Sequence, residues 1–211
     1  MWAGGKCRAK IVEALGFTGE DGRVPRQYSI PPSPDVPPQM DLRKFIDQGA
    51  WIIDTVYRYL AYTGDYTILD EECGYYNFER GIVRTGERTS VLEHLLRICR
   101  FFVSEIDAKT DCLHVLYGDW NDALDGMGVS EDPSREFGTG VSVMATLQLR
   151  RNMIEMREIL RKIGKQDLLP TREIQKRLES GLEKYAIVTD GESRRILHGW
   201  GDGRSYLVGS A

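Results

Sequence analysis

The chain has 211 residues, of which 41% are hydrophobic and 28% charged, and its formal net charge is −4. These values are typical of a globular protein with one core of ordinary size or two small ones. The acidic balance argues against a nucleic-acid-binding surface, and the sequence lacks a run of about 18 apolar residues that could span a membrane. We therefore expect neither a nucleic-acid partner nor a membrane.

The cysteines and histidines favour no metal site and no disulfide. Cys7, Cys73, Cys99 and Cys112 lie far apart and form no C-x-x-C pair, and the three histidines are scattered. The amino-terminal sequence "MWAGGKCRAK" lacks the apolar stretch of a secretory signal. We interpret the four cysteines as reduced thiols of a cytoplasmic protein.

Apolar spacing and capping residues predict mainly helices. In chain order these cover residues 6–15, 41–64, 90–106, 139–164 and 171–185, with Asp41 and Thr171 as caps, Ser90 and Glu93 as a capping box, and Gly64 and Gly164 as stops. The Pro-rich stretch before Asp41 is predicted to be an extended loop packed across a surface. The terminal "SRRILHGWGDGRSYLVGSA" indicates a β-hairpin or meander.

Residues 107–138 have no clear helical period, and an irregular loop of that length is usually functional. The loop contains "YGDWNDALDGMG", for which we consider a turn, a cation site or a carbohydrate site. Only Asp119 and Asn121 fit the ligand spacing of a calcium-binding loop. A turn explains Asp125 and its following glycine but not Trp120.

A carbohydrate site accounts for more of these residues. An indole stacks on the apolar face of a sugar ring, while carboxylates and amides bind its hydroxyl groups. Cleavage of a glycosidic bond also requires an acid that protonates the leaving oxygen. Asp119 and Asp122, three residues apart, could divide these two tasks.

"GDWNDALDGMG" resembles the "GDWNDGMN" motif of inverting glycoside phosphorylases, the cellobiose and cellodextrin phosphorylases of glycoside hydrolase family 94. "RQYSIPPSP", "IIDTVYRYLAYTGDYTILDEE", "FGTGVSVMATLQLRRNMIEMREILRKIG" and "HGWGDGRSYLVGS" resemble further family segments in the same order. The resemblance covers residues 6–210. It implies an all-α fold that is part of an (α/α)6 barrel with a short β-hairpin near the carboxyl terminus, and residues 1–211 as a partial catalytic domain without a second domain.

The resemblance also implies the roles of the loop residues. Asp122 would be the general acid, protonating the glycosidic oxygen while inorganic phosphate attacks the anomeric carbon from the opposite face. Trp120 would line the sugar pocket, and Asp119 and Asn121 would shape the loop or bind hydroxyl groups. Inorganic phosphate would be a co-substrate of the oligosaccharide, with no cofactor or metal. A homodimer of the full-length enzyme is also compatible with the family.

Some family features are missing from the sequence. "ALDGMG" replaces "GMNRVG", and "EFGTG" stands where "ES" is usual. The family's upstream arginine and aspartate motif for the non-reducing sugar is absent, as are its downstream phosphate-binding His and Thr-Gly residues. We therefore expect a piece of a longer enzyme that is inactive alone and exposes an apolar face.

Two other functions are compatible with the motif. An inverting hydrolase on the same barrel would need a second carboxylate roughly 6.5–9.5 Å from Asp122, for which Glu136 and Asp125 are candidates. A non-catalytic carbohydrate-binding helical module would keep Trp120 without requiring Asp122 as an acid.

Overall fold

The structure is a computed structural model that describes residues 4–33, 36–120 and 126–207. The α-helices are α1 Gly4–Leu15, α2 Gln48–Thr63, α3 Val91–Ser104, α4 Val143–Lys162 and α5 Thr171–Gly181. The strands are β1 Gln27–Tyr28, β2 Met40–Asp41, β3 Glu72–Asn77, β4 Val83–Ser90, β5 Val141–Ser142, β6 Ile187–Asp190, β7 Ser193–Gly201 and β8 Arg204–Leu207. Short 3-10 helices cover Tyr66–Asp70 and Gln166–Leu168, and a π-helical turn covers Leu182–Ala186.

The fold is α plus β, with 44% helix and 23% strand. The prediction of an all-α chain forming part of an (α/α)6 barrel is therefore wrong. The physical reason is that several segments pair their backbones in sheets, in which β1 pairs with β2, β3 with β4, and β7 with β5, β6 and β8. The predicted carboxyl-terminal hairpin is confirmed as β7 and β8.

The predicted helices are present, but α2 and α4 begin later than expected. Asp41 does not cap α2, because it lies in β2 and pairs with Gln27 of β1. The apolar residue Phe45 then forms backbone bridges with Leu116 and Gly118 instead of continuing a helix. Helix α2 ends where predicted, since Gly64 follows it with a φ of 66°.

The other helix starts show which capping signals are correct. Ser90 precedes α3, and its hydroxyl accepts a hydrogen bond from the Glu93 amide at 3.2 Å, as the serine of an N-cap does. Helix α4 starts at Val143 rather than at residue 139, because the preceding two residues form β5. Thr171 is the first residue of α5 and not its cap, a position held by Pro170.

Two compact units divide the chain, one of residues 1–44 and 51–101 and the other of residues 45–50 and 102–211. Fully buried side chains of the first unit include Leu15, Ile53, Ile68, Tyr75 and Leu95. Those of the second include Leu113, Leu149, Met153, Met156 and Leu178. Among the helices of the described residues, none has the length and apolarity needed to span a bilayer. The single partial domain stays a prediction.

Candidate active site

The loop that carries the "GDWND" motif lies in the second unit. As predicted, the described parts of residues 107–138 form no helix, and their backbone makes only isolated bridges. Residues 117–120 and 126–128 of the motif are described. The predictions for Asn121, Asp122 and Asp125 concern residues outside the described part of the chain.

Backbone hydrogen bonds fix both ends of the motif. The Ile46 amide donates to the Gly118 carbonyl at 3.0 Å, and the Phe45 ring lies 5.0 Å from the Tyr117 ring. The Gly126 amide donates to the Tyr117 carbonyl at 2.6 Å. The two ends of the segment between residues 117 and 126 are therefore held next to each other.

Glycines allow the backbones around this loop to approach closely. A Cβ atom on Gly128 would overlap the Leu116 carbonyl, and one on Gly140 would lie 2.9 Å from Val115 Cγ1 and 3.0 Å from Gly128 Cα. In β7, a Cβ on Gly199 would overlap the Val141 carbonyl, and one on Gly201 would overlap Gly140. We call Gly128, Gly140, Gly199 and Gly201 the glycine junction. It places the motif, β5 and β7 in direct contact.

Asp119 is the buried carboxylate of the site. It is 1% exposed, and its Oδ2 accepts a hydrogen bond from the Ser142 hydroxyl at 2.6 Å. A bond of this length from a hydroxyl to a carboxylate is charge-assisted and stronger than one between neutral groups. Since a buried charge without partners is strongly destabilising, this contact stabilises the loop at residue 119.

Ser142 joins this carboxylate to the beginning of α4. Its Oγ accepts a hydrogen bond from the Ala145 amide at 2.9 Å, so the same oxygen caps the helix and donates to Asp119. The Ser142 backbone is fixed as well, because its amide donates to the Leu113 carbonyl at 3.0 Å. The negative charge of Asp119 therefore lies near the positive end of the α4 dipole, which favours it.

His198 lies on the other side of the same carboxylate. Its Nε2 is 3.5 Å from Asp119 Oδ2, and its side chain is 12% exposed. The strand pairing explains this position, because Gly199 of β7 is opposite Ser142 of β5. The register between β7 and β8 also shifts between Leu197 and Gly199, and such a bulge redirects the side chain at its centre.

Trp120 differs from its neighbour in the sequence, since it is 61% exposed. The chain thus changes from a buried carboxylate to an exposed indole within one peptide bond. An exposed indole face is available for stacking on a sugar ring.

Glu136, a candidate base of the hydrolase alternative, is exposed too.

Thiol chemistry is not favoured by the environment of the three buried cysteines. Burial raises the pKa of Cys73 to about 11, and that of Cys99 and Cys112 to about 12. A thiol with such a pKa is not a nucleophile near neutral pH. Across the described ranges, no group of three or more His, Cys, Asp or Glu side chains could hold a metal ion.

The sequence pattern led to Asp119 and Trp120 but not to Ser142 or His198. Ser142 could have been found as a helix cap, since serine before an apolar run is a capping signal. No local pattern points to His198, because the sheet brings it to Asp119 from 79 residues away.

Comparisons with known proteins agree with the motif. Residues 8–203 match the family described as Glycosyl hydrolase 94 superfamily, catalytic domain. A solabiose phosphorylase of Paenibacillus borealis is 30% identical over 159 residues, which are 75% of this chain and 17% of that relative. The chain therefore spans about 17% of the length of the curated relative that it matches. Because the family model matches residues 8–203, the chain belongs to the Glycosyl hydrolase 94 superfamily and forms part of its catalytic domain.

Proposed function

We propose that the protein is a glycoside phosphorylase. In this proposal it cleaves β-glucosides similar to cellobiose or cellodextrins with inorganic phosphate, and it releases a sugar 1-phosphate of inverted configuration. The observation that carries the proposal is the "GDWND" motif in a chain that matches the superfamily over residues 8–203. The phosphorylase name of the relative from Paenibacillus borealis supports phosphate rather than water as the nucleophile.

The proposed mechanism assigns roles to three residues of the motif. Asp122 donates its proton to the glycosidic oxygen as the bond from this oxygen to the anomeric carbon breaks. A phosphate oxygen forms the new bond to that carbon from the opposite face. Phosphate is already a nucleophile, so no catalytic base is needed. Trp120 stacks on the sugar ring, and Asn121 binds sugar hydroxyl groups.

The decisive experiment measures product formation with and without phosphate. In the intact enzyme, we expect cellobiose, cellodextrins or solabiose to yield a sugar 1-phosphate only when inorganic phosphate is present. The Asp122→Asn substitution should lower the turnover number by about 10²–10⁴-fold, because general acid catalysis contributes that much. Chromatography of the products and their anomeric configuration by NMR provide the readout.

Matched variants separate chemistry from binding. Trp120→Ala should raise the Michaelis constant for the sugar through the loss of roughly 1.5–3 kcal/mol of apolar contact, whereas Trp120→Phe should retain part of it. Turnover to free sugar without phosphate would favour the hydrolase alternative. Full activity of Asp122→Asn would show that another acid protonates the glycosidic oxygen.

A further inference from the structure

We propose that Ser142 and His198 are positioning residues that act through the carboxylate of Asp119. They hold the beginning of the motif, and through it the indole of Trp120, in the orientation that the proposed reaction requires. The proposal rests on the proposed function for its catalytic consequence. Its structural part can be tested independently.

The first argument comes from burial. Asp119 is 1% exposed and Ser142 fully buried. A sugar hydroxyl would have to displace buried groups to reach this carboxylate. The Asp119 Oδ2 atom already accepts the Ser142 hydroxyl at 2.6 Å. A carboxylate in this state stabilises the polypeptide around it rather than binding a ligand from solvent.

The second argument comes from connectivity. Ser142 Oγ accepts from the Ala145 amide at 2.9 Å, so its proton is free to be donated to Asp119. The contact spans 23 residues of sequence. It therefore fixes the motif against the first turn of a 20-residue helix, which is a rigid element. Catalytic groups on such supports are held more accurately than those on unsupported loops.

The third argument concerns His198. Its Nε2 is buried and has no hydrogen-bond partner among the described residues, although it lies 3.5 Å from Asp119 Oδ2. A buried polar atom without a partner is unfavourable for folding. The bulge of β7 places this ring against the carboxylate. We infer that the ring covers Asp119 from water and restricts its movement.

The test uses 19F NMR of protein labelled with 5-fluorotryptophan, which reports on the four tryptophans of the chain. The Trp120 resonance is identified by its loss in Trp120→Phe. In Ser142→Ala and Asp119→Asn, we expect this resonance to shift or broaden while that of Trp51 stays unchanged. Ser142→Thr keeps the hydroxyl and should preserve the wild-type Trp120 resonance.

Ser90→Ala is the matched control, because it removes the equivalent cap of α3. It should leave the Trp120 resonance unchanged. The positioning role is overturned if Ser142→Ala leaves the Trp120 resonance as in the wild type. It is also overturned if Ser90→Ala has the same effect, or if the Trp51 resonance moves as much as that of Trp120.

The catalytic consequence is measured separately. Ser142→Ala and His198→Gln should lower the turnover number by about ten- to a hundredfold, as a misplacement of about 1 Å can do, and Ser142→Thr should restore it. Unchanged turnover in both variants would contradict the catalytic part. An absence of phosphorolysis in the intact wild-type enzyme would instead refute the proposed function, and the NMR result would still decide the structural part.

Discussion

The imidazole of His94 is 1% exposed in the first unit. It stacks on the Tyr75 ring with centroids 3.9 Å apart. Its Nδ1 lies 2.9 Å from the Thr18 hydroxyl, and its Nε2 lies 3.2 Å from the Cys73 carbonyl oxygen. Since a carbonyl only accepts, Nε2 carries the proton of the neutral ring. Burial lowers the pKa of His94 from 6.5 to about 4.

This lowered pKa predicts a loss of stability in acid. The unfolded chain binds the His94 proton at a higher pH than the folded chain, so the contribution is complete above pH 6.5 and is lost as the pH falls towards 4. Between pH 8 and pH 5, the wild type should lose about 2 kcal/mol more unfolding free energy than His94→Gln. Urea denaturation of both proteins at both pH values measures the difference. Equal losses would contradict the prediction.

At the scale of elements, the turn between β7 and β8 has a defined conformation. Gly201 pairs with Arg204, and the two residues between them, Asp202 and Gly203, have φ values of 49° and 78°. Positive φ at both positions is the property of a type I′ turn, which favours Asp-Gly. The turn is also bonded to the segment that precedes β5, since the Thr139 hydroxyl donates to Asp202 Oδ1 at 3.1 Å.

We therefore expect Gly203→Ala to destabilise the chain by about 1–2 kcal/mol, the strain of a left-handed residue with a Cβ. Gly86→Ala is the matched control in β4, where a Cβ would meet open space and the φ value is not positive. It should leave the free energy of unfolding unchanged or raise it by up to about 1 kcal/mol. Equal destabilisation by both substitutions would refute the turn argument.

The elements that the sequence did not reveal have a common physical origin. Strand β4 is largely exposed, so it lacks the alternation of apolar and polar residues that marks a half-buried strand. Near Asp41, apolar residues do follow helical spacing. However, Phe45 satisfies its backbone with Leu116 and Gly118, which are 71 and 73 residues away. Such distant pairing is invisible in a local window.

At the scale of the whole molecule, the balance of helix and strand can be measured directly. Far-UV circular dichroism of the chain should give a helix content near 44% with a clear strand contribution near 23%. A spectrum of a purely helical protein would contradict the α plus β fold. The measurement needs no substrate, so it is independent of the proposed activity.

The candidate site was predictable only where its residues are adjacent in sequence. Asp119 and Trp120 stand together in one motif, and their spacing to the following acid indicated sugar chemistry. Their contrast in burial, 1% against 61% exposed, depends on Ser142 and on the packing around it. Ser142 in turn is held by the long-range pairing of β5 with β7, which a motif does not contain.

The glycine junction has a consequence for mutational scans of this family member. Its four glycines should reject almost every substitution, because the space for a Cβ is occupied by backbone or neighbouring atoms. A selection for growth on the proposed sugar would therefore score them as intolerant as the proposed acid Asp122, although none of them has a side chain that could touch a substrate. A measurement of protein abundance alongside activity would distinguish the structural glycines from a catalytic position. At the junction, protein level and activity should fall together, whereas at the proposed acid the activity alone should fall.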